Sequence, residues 1–177
     1  MRYLTSTECT EWCTGRGIQL GSDGLPQRDP PHAGTAVRFG LPATPSQLNW
    51  LCRFISESLK PRHQCLLWVK GFGIFPSNEN LHLYYRLRQS YGDLRLLHEA
   101  TGHLFLEHED ADLVSFLQLG IVSGWDMHVF PQLSYGDPDT ARAVICHDEW
   151  IALHHTQDWA IKEWRESLER AKYQIWE

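Results

Sequence analysis

Hydrophobic residues recur along this chain in two rhythms. Leu48, Leu51, Cys52, Ile55 and Leu59 fall at helical spacing and make one apolar stripe. Just ahead of them, Thr44-Pro45-Ser46-Gln47 offers an N-cap, a proline suited to the first turn and a capping-box glutamine. Pro61 ends that helix. Further helices are expected at three places by the same reasoning. One runs from a cap among Thr5, Ser6 and Thr7 to about Thr14, before Gly15 and Gly17. A second runs from about Asn78, capped by Ser77, to Tyr91 before Gly92. A third follows Asp110 and carries Leu113, Phe116, Leu117 and Ile121, with Gly124 as its stop. A last helix is expected from about Gln157 to the chain end, with Ala160, Trp164, Leu168, Ala171 and Ile175 on its buried stripe.

The second rhythm is that of strands. Cys65-Leu66-Leu67-Trp68-Val69 is an unbroken apolar run, which suits a central strand covered on both sides. Residues alternate over His103–His108 and over Trp125–Phe130, and Ala36–Leu41 reads as a short strand. Ala141–Cys146 and Trp150–Leu153 form a hairpin around Asp148 and Glu149. The strand, helix and strand between 103 and 130 suggest a parallel crossover. The fold class that follows is α+β: one mixed β-sheet with helices packed on it and a long C-terminal helix. Residues 1–177 are expected to form a single globular domain. Its irregular Gly/Pro-rich loop is GSDGLPQRDPPHAG, at about 21–34.

Composition narrows the function classes. The 177 residues are 42% hydrophobic, enough for a sizeable core, and eight Trp supply much of it. The net charge is −6 and no dense Lys/Arg run occurs, which argues against a nucleic-acid partner and mildly favours a basic one. No apolar stretch approaches the roughly 20 residues of a membrane-spanning helix, so no membrane partner is expected. The five Cys are scattered and odd in number, which suits reduced thiols in a cytoplasm.

Histidine is the candidate for chemistry, with ten in the chain. His98-Glu99-Ala100-Thr101-Gly102-His103 approaches the zincin protease pattern, but its two His are five apart rather than four. On a helix that spacing turns the second ring away from the first. A sheet offers a better constellation. His103 and Glu107 share one side of one strand, and Asp126 and His128 share one side of another. If those strands were neighbours, the four side chains would converge into a set able to hold a divalent metal or perform acid–base chemistry. His147, Asp148 and Glu149 read as turn residues. Cys146 and His147 read as strand neighbours pointing to opposite sides. Tyr84, Tyr85, Arg86 and Arg88 suggest a mixed aromatic and cationic binding patch.

No intact catalytic motif appears beside this abundance of aromatic residues. In size, acidity and aromatic richness the chain resembles small acidic bacterial proteins, among them immunity-type proteins that neutralise toxins; the likeness involves no motif. It implies a non-enzymatic binding or protein-interaction protein, with no cofactor required. The alternative is a metal-dependent hydrolase using His103, Glu107, Asp126 and His128 with a divalent metal.

Overall fold

A computed structural model describes residues 1–26, 35–59, 63–72, 78–132 and 141–176. In chain order the elements are β1 (Arg2–Leu4), α1 (Ser6–Thr14), β2 (Thr35–Gly40), α2 (Pro45–Leu59), β3 (Gln64–Gly71), α3 (Asn78–Ser90), β4 (Gly102–Leu106), α4 (Asp110–Val122), β5 (Asp126–Pro131), β6 (Ala141–Cys146), β7 (Trp150–His155), α5 (Asp158–Arg170) and β8 (Ile175–Trp176), with a 3-10 turn at Leu97–Glu99. The strands form one eight-stranded sheet in the order β1-β4-β3-β5-β6-β7-β2-β8. The α+β class holds, and every described pairing is antiparallel.

That order revises the crossover. β4 and β5 both pair antiparallel with β3, one on each side. They therefore run the same way, as a crossover through α4 requires, but β3 lies between them. The unbroken apolar run of β3 follows from this central place. Cys65, Leu66, Leu67, Trp68 and Val69 are all buried, because both sides of the sheet are covered there.

Directly paired residues share a side of the sheet, so the register sorts the core. Leu67 pairs with His103 and with Val129, and Cys65 with Phe105. This first side also carries Val37, Phe39, Met127, Ala143, Ile145, Ile151 and Leu153. α2, α3, α4 and α5 pack there through residues such as Ile55, Tyr84, Phe116 and Trp164. Trp68 pairs with Gly102 and His128, and Leu66 with Leu104 and Phe130. This second side is covered by α1, through Cys9, Trp12 and Cys13. α1 comes close at Gly102, where an added Cβ would collide with Cys9 Sγ.

The C-terminal helix is shorter than its apolar stripe suggests. α5 stops at Arg170, and Lys172 takes a left-handed φ of 63°. The amides of Lys172 and Tyr173 bond back to the carbonyls of Glu169 and Leu168 at 2.9 and 3.0 Å. This is a Schellman stop with lysine where glycine is usual. The chain beyond it returns as β8 along β2, so Ile175 is a strand residue.

Of the expected loops, residues 21–26 include a turn in which Gly24 donates to Gly21. The remainder of the 21–34 loop, Pro61, the Ser77 cap and the loop after Gln132 lie outside the described residues. Among the described residues no helix is long and apolar enough to cross a membrane.

Candidate functional site

At one end of the sheet, β6 ends at Cys146, which pairs with Trp150 of β7. His147, Asp148 and Glu149 close the hairpin, and the Glu149 amide donates to the Cys146 carbonyl at 3.2 Å. Glu149 has a φ of 67°. A three-residue hairpin loop needs a left-handed residue in its last position. His147 is therefore past the end of the strand, and strict alternation no longer governs its side chain. It folds back over the start of β5. There the Asp126 carboxylate accepts from the His147 amide at 2.9 Å and faces ring Nδ1 at 2.7 Å.

Met127 pairs with Ile145, so the next position along places Asp126 opposite Cys146. The Cys146 thiol is buried, while His147 and Asp126 are partly open to solvent. Asp148 lies beside both other groups, with one oxygen 3.2 Å from His147 Nε2 and the other 3.5 Å from Cys146 Sγ. One ligand atom each from Asp126, Cys146 and His147 lie within 4.8 Å of one another. Gly71 borders the site, where an added Cβ would make ordinary van der Waals contact with Asp126 Oδ2 at 3.4 Å, and the strand is irregular between Val69 and Gly71.

The four residues expected to converge do not. His103 lies on the first side of the sheet and His128 on the second, with β3 between their strands. His103 is fully buried. Its Nδ1 faces the Leu67 carbonyl at 3.3 Å. A carbonyl only accepts, so Nδ1 carries the proton and Nε2 accepts from the Tyr84 hydroxyl. Burial pushes the His103 pKa down to about 3, against a smaller opposing effect of the Leu67 hydrogen bond. His128 is buried against Phe130, ring to ring at 6.0 Å. Burial, then the charges of Arg142 and Lys70, also push its pKa down to about 3. Asp126 does share His128's side of the sheet, but its short contacts are to His147. Glu107 is exposed in the turn after β4.

The Tyr84–Arg88 group is not a surface patch either. Tyr84 and Arg88 are buried in the core, Tyr85 is half-buried and Arg86 is exposed. Helical spacing divides these neighbours between the inner and outer faces of α3. The Arg88 guanidinium lies 4.8 Å from the Tyr3 ring centre and 5.5 Å from that of Tyr84. It is paired with Asp93 at 3.2 Å. Asp93 in turn accepts from Arg95 at 2.8 Å. Burial works to raise the Asp93 pKa, but the Arg95 hydrogen bonds and both arginine charges bring it down to about 2. This network seals the β1 end of the core.

A second open feature lies on the outer side of the helices. α2 and α4 border a groove of about 850 Å³. Asn49, Arg53 and Glu57 line it from α2, and Asp110, Ser115 and Gln118 from α4, with Glu107 beside them. Gln118 Nε2 donates to Asn49 Oδ1 at 3.1 Å and ties the two helices together. Glu57, Glu107 and Asp110 outnumber the single cation Arg53, and all four are exposed.

Comparison with protein-family models, with curated proteins and with solved structures gives no match to this chain.

Proposed function

We propose that this is a non-enzymatic binding protein that takes a basic segment of a partner protein into the acidic groove between α2 and α4. The observation that carries the reading is the groove itself: an open concavity with three carboxylates against one guanidinium, on a chain of net charge −6. Clefts lined by one sign of charge concentrate the opposite sign and speed its arrival. Val114 and Ala111 on the groove floor give lysine and arginine stems an apolar surface to lie on. The two helices are fixed by the sheet beneath them, through Ile55 and Leu59 of α2 and Phe116 and Leu117 of α4. The docking surface is thus formed before the partner arrives, which lowers the ordering cost of binding. All five cysteines are buried and none is in a disulfide, and this supports a cytoplasmic setting for the encounter.

The reading is tested by titrating a lysine-rich peptide of about 12 residues, with a glutamate-rich peptide as control. Changing Glu57, Glu107 and Asp110 together to Lys weakens binding at least tenfold, about 1.4 kcal/mol. Changing Glu163, Glu166 and Glu169 of α5 to Lys alters net charge equally and leaves binding within about twofold. Equal losses in the two triple variants, or no binding of the lysine peptide, would overturn the proposal.

A further inference from the structure

The β6–β7 hairpin shares no residue with the groove. We propose that Asp126, Cys146 and His147 form a zinc site, with solvent in the fourth position and Asp148 as the carboxylate that orients the histidine. The donor types are a thiolate sulfur, an imidazole nitrogen and a carboxylate oxygen, a combination matched to zinc in softness and charge. They come from three places in the sequence, and the register of β5 on β6 with the turn after Cys146 brings them together. Their ligand atoms lie within 4.8 Å of one another. In a tetrahedral set with bonds of about 2.0–2.3 Å, neighbouring ligand atoms stand roughly 3.3–3.7 Å apart. Small side-chain rotations close the difference.

The hydrogen bonding around His147 points to a cation. Both ring nitrogens face carboxylate oxygens, Nδ1 at 2.7 Å from Asp126 and Nε2 at 3.2 Å from Asp148. A ring held between two carboxylates calls for positive charge, supplied either by an imidazolium that donates from both nitrogens or by a metal ion on one of them. A zinc ion held by Nδ1 and Asp126 Oδ2, once the two atoms part to ligand spacing, supplies that charge. The ring proton then resides on Nε2 and donates to Asp148, giving the carboxylate–histidine–zinc arrangement that fixes a ligand's tautomer. Cys146 binds as thiolate, so its S–H bond breaks, an S–Zn bond forms, and one proton is released to solvent for each ion taken up. Asp126 and His147 are open enough to admit the ion, while the sulfur is held on the protein side.

The experiment is titration of chelator-stripped full-length protein with zinc chloride, and with cobalt(II) chloride as a spectroscopic probe. The expected result is one ion per chain, proton release on binding as the Cys146 thiol ionises, and a sulfur-to-cobalt charge-transfer band in the near ultraviolet. Cys146→Ser removes the band and weakens zinc binding at least tenfold. Asp148→Asn keeps the band and weakens zinc about tenfold, the effect expected of a second-layer carboxylate. His147→Ala lies at a half-exposed turn position and carries the test if the cysteine variant does not fold. Absence of saturable zinc binding would overturn the proposal, as would a cobalt band that survives both Cys146→Ser and His147→Ala. The lysine-peptide titration is independent of both variants, so failure of the zinc site and failure of the groove are read separately.

Discussion

At Glu149 a single backbone angle decides where the side chain of His147, two positions earlier in the turn, finds its partner. The left-handed turn position favours glycine, because a Cβ crowds the following carbonyl there. Glutamate holds it with a φ of 67°, and the turn so closed turns His147 back onto Asp126. Glu149→Gly is therefore expected to relieve strain. After the extra chain freedom that glycine brings to the unfolded state, the gain is about 0.5–1 kcal/mol, measurable as a higher urea midpoint with an unchanged slope. His147 also shows why its role was hidden in the sequence. Alternation places Cys146 and His147 on opposite sides of a strand, but that rule ends where the strand ends. The cue that was present is the hairpin itself: a pair between Cys146 and Trp150 leaves 147–149 as loop, free of the period-two constraint.

Among the elements, α1 shows how the structure selects one cap, Thr5, from the three that the sequence offered at Thr5, Ser6 and Thr7. Thr5 Oγ1 accepts from the Glu8 amide at 3.2 Å, and Glu8 Oε2 accepts from the Thr5 amide at 2.7 Å. This is a reciprocal capping box, and the hydrogen bonds from Thr5 hold the Glu8 carboxyl below its ordinary pKa. Thr5→Ala should cost about 1 kcal/mol, read by chemical denaturation. Hydrogen exchange should rise first in α1, because the second side of the sheet depends on its Cys9, Trp12 and Cys13 for cover. The α2 start was legible outright: Thr44 Oγ1 accepts from the Gln47 amide at 3.2 Å. The end of α5 was not. Its stop lies at Lys172, a residue type that carries no stop signal, and the return of Ile175 along β2 depends on a strand about 135 residues earlier in the chain.

For the molecule as a whole, two buried neutral histidines set the response to acid. In the folded state His103 and His128 stay neutral and take no second ring proton until about pH 3, whereas in the unfolded chain each takes one near pH 6.5. Between these values the unfolded state binds more protons, so stability rises with pH. The stabilisation is full above about pH 6.5 and is lost as the pH falls toward 3. Each group contributes a slope approaching about 1.4 kcal/mol per pH unit. The lowered carboxyls Glu8, Glu109 and Asp93 have unfolded values near 4.5 or below. From pH 6.5 to 4.5 the histidines therefore dominate, with a lesser part from half-buried His155, whose pKa burial also lowers. Urea unfolding at pH 7, 6 and 5 should show this decline, and His128→Asn should make it shallower. A flat profile would show that neither imidazole enters the core uncharged.

What the sequence by itself determined is local. Apolar periodicity and caps marked five helices and six of the eight strands of the α+β sheet, because those signals act within one element and need no neighbour. Which strands lie side by side was decided by the tertiary structure. Inserting β3 between β4 and β5 sent His103 and His128 to opposite sides of the sheet, and laying β6 against β5 set Asp126 beside Cys146 and His147. Pairing is chosen by the packing of entire apolar sides against helices, a sum over many distant residues. No short stretch of sequence contains that sum, so the polar groups that meet across strands become visible only once the sheet is assembled.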